Sequence, residues 1–351
     1  MTSISSSSAF DRATLENEFL RVQVLSTGGQ IAEILDKQSG VNPLWNPPWR
    51  EKHTGSSIPP WSNPNTAFLN HVGGHYVCLD LFGEPSSHEV NAGLGTHGEA
   101  CITHHELITR DNMIVASAVL PLSQLKVIRR ISLEEGTSLL SVQETIENLV
   151  AFDRPIAWTQ HVTVGAPFLT PAQTRLFLRA HRSRTHDKDT FPESPLIPCC
   201  NFEWPIVAAC NGTLHDLSIF SESWRSCSFS AHLIDATLHP AAFIAYSPQS
   251  RLLFGYRWNA QDFPWISVWE ENRSRIAAPW NGDTQAWGLE FGASPFPMTR
   301  RQMVERGMLF DTPVFTWLGG RERRTTHFTA FLRELGSHPN TIDEAMSNLP
   351  K

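Results

Sequence analysis

The chain lacks several features that would set its class at once. It has no apolar run approaching the roughly 18 residues of a membrane-spanning helix, so no membrane span is expected. It has no basic stripe. Lys and Arg number 28 against 35 Asp and Glu, for a net charge of −7, which argues against nucleic acid as a partner. Cysteine is scarce. Cys78, Cys101, Cys199, Cys200, Cys210 and Cys227 include no pair with the two-residue spacing of a zinc knuckle or redox motif. Scattered thiols of this kind fit a reducing, cytoplasmic compartment. The opening MTSISSSSAFDR lacks the positive n-region and apolar stretch of a secretory signal. Residues 1–12 are expected to be a frayed tail and 13–351 a single domain. Long stretches of 3.6-residue periodicity are also missing, which excludes a helical architecture.

What the chain does have is aromatic and turn residues. Twelve Trp and 20 Phe stand beside only three Tyr, with 24 Pro and 21 Gly punctuating the sequence. Between these breakers lie short alternating segments. Phe19 to Leu25, the turn Gly28-Gly29 and Ile31 to Leu35 make a hairpin signature. Further strands are predicted at 113–120, 125–133, 138–149, Ile156 to Val164, Ala242 to Tyr246, Arg251 to Trp258, Trp265 to Trp269 and Ala286 to Phe291. Only the tail after Thr341 carries a helix start, a capping Thr with Glu344 three residues later. The pattern predicts an all-β chain, a large antiparallel β-sandwich. Two irregular stretches remain, 42–66 and 183–205. The first, with Trp45, Trp49 and Trp61, reads as an ordered wall.

Four segments concentrate polar groups among glycines and aromatics: Asn70 to Tyr76, Gly93 to Glu99, Trp158 to Phe168 and Gly288 to Phe296. Glu290 stands out among them. It lies between Leu289 and Phe291, and on a strand it points away from both. A carboxylate in such surroundings needs a partner or a task, because burying an unpaired charge is costly. The histidines His71, His75, His97, His104 and His105 raise the option of a metal. However, His71 to His75 spans a Gly-rich loop in which helical ligand spacing loses its meaning, and no metal or other cofactor is expected. Arg300, Arg301, Arg321, Arg323 and Arg324 read as surface charges, the last three in a Gly-rich turn, with a phosphorylated sugar left open.

The order of these segments resembles the galactose mutarotase-like (aldose 1-epimerase) superfamily. It runs His97-Gly98, then Trp158-Thr-Gln-His161, then Pro264-Trp-Ile-Ser-Val-Trp269, then Leu289-Glu290 before Pro295. The opening is similar too, from Leu15 through Gly28-Gly29 and Asp36-Lys37 to Asn42-Pro-Leu-Trp45. The likeness spans residues 15 to 335 and implies a β-supersandwich with a small-molecule carbohydrate in a cleft on one sheet. By this resemblance His161 is the acid that protonates the ring oxygen and Glu290 the base that takes the anomeric hydroxyl proton. His97 binds the sugar, and the strand before the catalytic Glu, Phe263 to Trp269, lines the cleft. The chain departs from the pattern where His75 replaces the Arg of a Gly-Arg-Tyr motif and Ser267 replaces a Gln. Its sugar-binding Asp cannot be placed, with Asp216 and Asp235 both open. His75 is expected at the cleft edge, and Glu270 or Glu271 as a substitute for the missing carboxylate. Trp280 and Trp287 either form part of the sugar platform or pin a hairpin.

Anomer interconversion needs one group to take the O1 proton and another to supply one to O5. A carboxylate and an imidazole on opposite sides of C1 suffice, without metal or nucleotide. The substrate-binding set is thus His97, His75, Trp269, Ser267 and Glu270, with His161 and Glu290 catalytic. The alternative is a non-catalytic sugar-binding or sensing protein on the same fold, since fold does not fix function. Oligomeric state is not readable.

Overall fold

The computed structural model describes residues 11–52, 63, 66–187, 189–222, 225–237 and 240–348. Two antiparallel sheets dominate. The first has ten strands in the spatial order Arg12–Glu16, Leu20–Leu25, Ile31–Asp36, His75–Leu79, Trp158–Gly165, Gln285–Gly292, Trp265–Asn272, Ser226–Ile234, Ala180–Thr185 and Asn201–Phe202. The second has eight, in the order Arg175–Leu178, Ala241–Ser247, Leu252–Trp258, Arg323–Glu334, Leu139–Asn148, Leu125–Leu133, Met113–Leu120 and Glu106–Arg110. The all-β antiparallel sandwich read from the sequence is the observed architecture.

Alternation explains how the sheets pack. In Leu125–Leu133 every odd residue is buried and every even one is partly exposed, as one covered face requires. The central strands of the ten-stranded sheet are buried on both faces, and Trp158–Gly165 carries Thr, Gln and His as well as apolar side chains. Side chains from the inner faces form one cluster that includes Val77, Val162 and Leu289 from one sheet and Ile131, Val142 and Phe254 from the other. Trp258 and Phe291 stack across the interface with centroids 4.4 Å apart. Fully burying each such side chain contributes about 1.5–3 kcal/mol. Among the described residues no helix is long and apolar enough to cross a membrane.

A second aromatic cluster covers the outer face of the ten-stranded sheet. It gathers Trp45, Trp49, Tyr76, Phe229, Trp269 and Trp280. The connection after Val41 is thus an ordered wall as far as it is described, with Trp45 stacked on Trp280 at 5.9 Å. Trp61 lies outside the described residues, as do residues 1–10 of the expected tail. The end of that tail is structured, because Arg12 opens the first strand.

Three expectations about elements are corrected. Arg323 and Arg324 start Arg323–Glu334, a 12-residue strand at the centre of the eight-stranded sheet, rather than a polar turn. Ser226–Ile234, to which the sequence pattern assigns no strand, is a strand beside Trp265–Asn272. The predicted strand from Ile156 to Val164 breaks at Ala157 into two that join different sheets. The C-terminal helix, Ile342–Ser347, starts at Thr341, whose side chain accepts from the Glu344 N–H.

Candidate active site

Strand register sets the centre of the site. His161 pairs with Tyr76 on one side and Glu290 on the other, and Glu290 pairs in turn with Ser267. Register partners share a face, so Tyr76, His161, Glu290 and Ser267 form a row across four strands. The row lies on the outer face, since the neighbours Val162 and Leu289 are in the inter-sheet core. His161 Nε2 is 3.0 Å from Glu290 Oε1, and its Nδ1 is 3.1 Å from Thr163 Oγ1 on the same strand face. The Tyr76 ring stacks on the imidazole at 4.6 Å. The two groups expected on opposite sides of a sugar carbon are therefore in direct contact at rest.

Burial governs the charges here. It pushes the Glu290 carboxyl well above the usual range and His161 well below its own, with His97 and His75 adding to the latter shift. Both shifts favour a neutral pair in which Glu290 holds the shared proton and donates it to His161 Nε2. His97 completes the group, its ring 5.1 Å from that of His161. It sits on left-handed backbone at φ +67°, and its Nδ1–H donates to the Phe82 carbonyl at 2.8 Å. Because a carbonyl can only accept, Nε2 carries the lone pair. Burial lowers the His97 pKa to about 4, so the ring is neutral.

His97, His161, Glu290 and Trp269 all line one cleft of about 720 Å³, measured out to its mouth. Tyr76, Phe191, Phe229 and Trp280 supply aromatic walls, and Arg275 supplies a cation. The Arg275 guanidinium lies 5.2 and 4.7 Å from the Trp269 and Trp280 rings and is tethered to buried Glu271 at 3.4 Å. Three of the lining residues hold buried polar atoms with no hydrogen-bond partner among the described residues: Tyr76 Oη, Trp269 Nε1 and Glu290 Oε2. Each such atom costs about 1–3 kcal/mol. A ligand rich in hydroxyls would satisfy all three.

Other expected site residues lie elsewhere. His75 is not at the cleft edge. It precedes Tyr76 on the strand, so it points between the sheets, where its ring nitrogens meet Tyr256 Oη at 2.8 Å and Gln160 Oε1 at 3.0 Å. Glu270 fails for the same reason. It follows Trp269 and faces the opposite way, accepting from Ser221 N–H and Ser226 Oγ–H. Ser267 has the correct parity, but its hydroxyl donates to the Pro295 carbonyl and it does not line the cleft. Asp216 and Asp235 cap local turns at Ser218 and Thr237. Trp287 is core, whereas Trp280 is cleft wall. His104 is exposed and His105 buried. Among the described residues no three potential metal ligands converge. Arg275 was not foreseen, since a lone Arg after a strand carries no sequence signal.

No family model matches the chain, and no curated protein matches it by sequence. Solved structures do. A galactose mutarotase-like protein from Clostridium acetobutylicum superimposes with a TM-score of 0.62 at 12% identity, covering 93% of this chain and 99% of the other. A protein from Synechocystis sp. PCC 6803 gives 0.61 at 15% identity, covering 95% and 100%. A galactose mutarotase related enzyme from Lactobacillus acidophilus gives 0.58 at 11%, covering 94% and 98%. At such identities the likeness establishes the fold: the chain adopts the galactose mutarotase-like sandwich.

Proposed function

We propose that this protein binds a small reducing sugar in the aromatic cleft and interconverts its anomers, as an aldose 1-epimerase does. The observation that carries this reading is the buried 3.0 Å contact between His161 and Glu290, with Glu290 Oε2 unpartnered at the cleft. Ring opening transfers the O1 proton to Glu290 as the C1=O bond forms. The C1–O5 bond breaks, and O5 takes a proton from His161. Rotation about C1–C2 and the reverse steps close the other anomer, returning both protons. The contact lets the resting proton pass from Glu290 to His161 when sugar hydroxyls enter and offset the cost of the charged pair. Tyr76 Oη and Trp269 Nε1–H would bind hydroxyls, and the indole faces would cover the C–H side of the ring. Free cysteines support a reducing, cytoplasmic setting.

The non-catalytic reading has one observation in its favour. Ser267 and His75, two polar contacts implied by the resemblance, do not reach the cleft. Anomer-exchange NMR on glucose, galactose and xylose separates the two readings. Exchange faster than buffer supports the epimerase, and saturable binding at the buffer rate supports the binding protein. No binding by any of the three rejects both readings for free monosaccharides.

A further inference from the structure

The cleft does not end at its aromatic walls. Thr190 and Pro297 line both it and a second, more polar chamber, whose empty space out to its mouth is about 870 Å³. His186, Asp187, Gln302, Glu305 and Arg306 line that chamber and not the cleft. The partition between the two is built in. The His186 ring packs edge-on against Phe191 at 5.3 Å and Phe229 at 5.7 Å, the same two rings that wall the cleft. Asp187 holds the His186 ring at 3.0 Å and accepts from the Thr190 N–H at 3.0 Å, fixing the shared rim. On the other side the Arg306 guanidinium lies 5.3 Å from the Phe296 ring.

We infer that this chamber is a second sugar subsite, and that the protein's ligand is the reducing end of a disaccharide or longer oligosaccharide. The inference rests on the sugar reading of the cleft. Thr190 and Pro297 line both spaces, so a sugar seated in the cleft with its reducing carbon at His161 and Glu290 would pass a glycosidic substituent across that shared rim into the chamber. The chamber is the roomier of the two and more open to solvent, with space for a further ring. Its groups mix donors and acceptors, as a hydroxyl-covered ring requires. Among the described residues its charged groups are mixed in sign: Asp187 and Arg306 line it, and Glu305 is paired with Arg301 at 2.7 Å.

The test is titration calorimetry of the full chain with glucose, galactose and xylose, and with maltose, cellobiose, lactose and xylobiose. The wild type is expected to bind at least one disaccharide about tenfold more tightly than its reducing-end monosaccharide. Arg306→Ala and Glu305→Ala, whose side chains line the chamber and not the cleft, should each erase most of that advantage, about the fold-change of one hydrogen bond to a charged group. Monosaccharide binding should stay unchanged, which also reports that the variants are folded. Monosaccharide binding with no disaccharide advantage overturns the second subsite and leaves the cleft reading intact. An advantage that survives both substitutions overturns the chamber assignment. Failure to bind any of the seven sugars overturns both readings together.

Discussion

Gly288 stands two residues before Glu290 on one strand face, and a Cβ placed on it would lie 2.5 Å from Glu290 Oε1. The same Cβ would meet Trp269 Cε3 at 3.1 Å. The missing side chain is therefore the space in which the carboxylate reaches His161. Gly288→Ala should displace the end of the Glu290 side chain, the most flexible of the crowded atoms, and open the 3.0 Å contact. Overpacking of this kind costs about 1–3 kcal/mol, so the variant should fold with a modest drop in melting temperature. Anomer exchange should fall by an order of magnitude or more, about the lower end of a general-catalyst loss. A variant with wild-type exchange and wild-type melting would show that the carboxylate does not depend on that space.

Glu270 gives a pH prediction for stability. Burial raises its pKa from 4.5 to about 7. The folded state therefore binds more protons than the unfolded one between these values, and stability falls as pH rises through that window. The rise corresponds to about 3 kcal/mol in favour of the folded state below pH 4.5, lost by about pH 7. Buried His97 and His105, both lowered to about 4, act in the opposite sense, losing stability as pH falls below 6.5. Glu270→Gln isolates the carboxyl. The difference between wild type and variant in urea midpoint should change steadily from pH 4.5 to 7, with wild type gaining toward acid. A difference independent of pH would remove Glu270 as a titrating group.

Much of this was legible in the sequence because strands write their burial in period two. Met113–Leu120 and Leu125–Leu133 were bounded to the residue, since polar alternation marks a half-exposed strand. Ser226–Ile234 carries no strand signal because a strand buried on both faces need not alternate. The site errors share one cause, parity. Trp269 and Glu270 are adjacent on one strand and cannot both face a cleft. The His75-Tyr76 pair poses the same choice, and Tyr76 is the member that faces His161. Naming one residue of each pair fixes the other, but without a known register the sequence leaves the choice free. Arg275 depends on a turn geometry that only the folded chain displays.

The side chains turned away from the cleft form a polar network inside the sandwich. Arg129 and Glu144, both fully buried, pair at 2.9 Å. Glu144 Oε1 accepts from Trp158 and Gln160, and Arg129 donates to the Gly29 carbonyl. Glu144→Gln should destabilise by about 3–5 kcal/mol, because it leaves the guanidinium buried without its counter-charge. Removing both charges in Arg129→Met/Glu144→Gln should cost clearly less than the sum of the two single changes. Urea unfolding of the four proteins measures this coupling. Strict additivity would mean that the pair does not act as a unit.

The chemistry of the pair makes the sharpest prediction. Glu290→Gln keeps the shape and a hydrogen bond to His161 but cannot take the O1 proton. Loss of a positioned general base costs on the order of 10²–10⁴ in rate, while sugar affinity should stay within a few fold. His161→Asn removes the proton donor to O5 and should slow exchange similarly. His97→Ala should act differently. Its Nε2 lone pair, set by the Phe82 carbonyl, accepts from a hydroxyl in ground and transition states alike, so affinity should fall and the rate at saturation should hold. Because sugars mutarotate in buffer, the rates must come from NMR exchange or stopped-flow polarimetry at saturating and subsaturating sugar. A Glu290→Gln protein that turns over at the wild-type rate would take the carboxylate out of the mechanism. Its burial and raised pKa would then need another explanation, and the binding reading of the cleft would stand in place of catalysis.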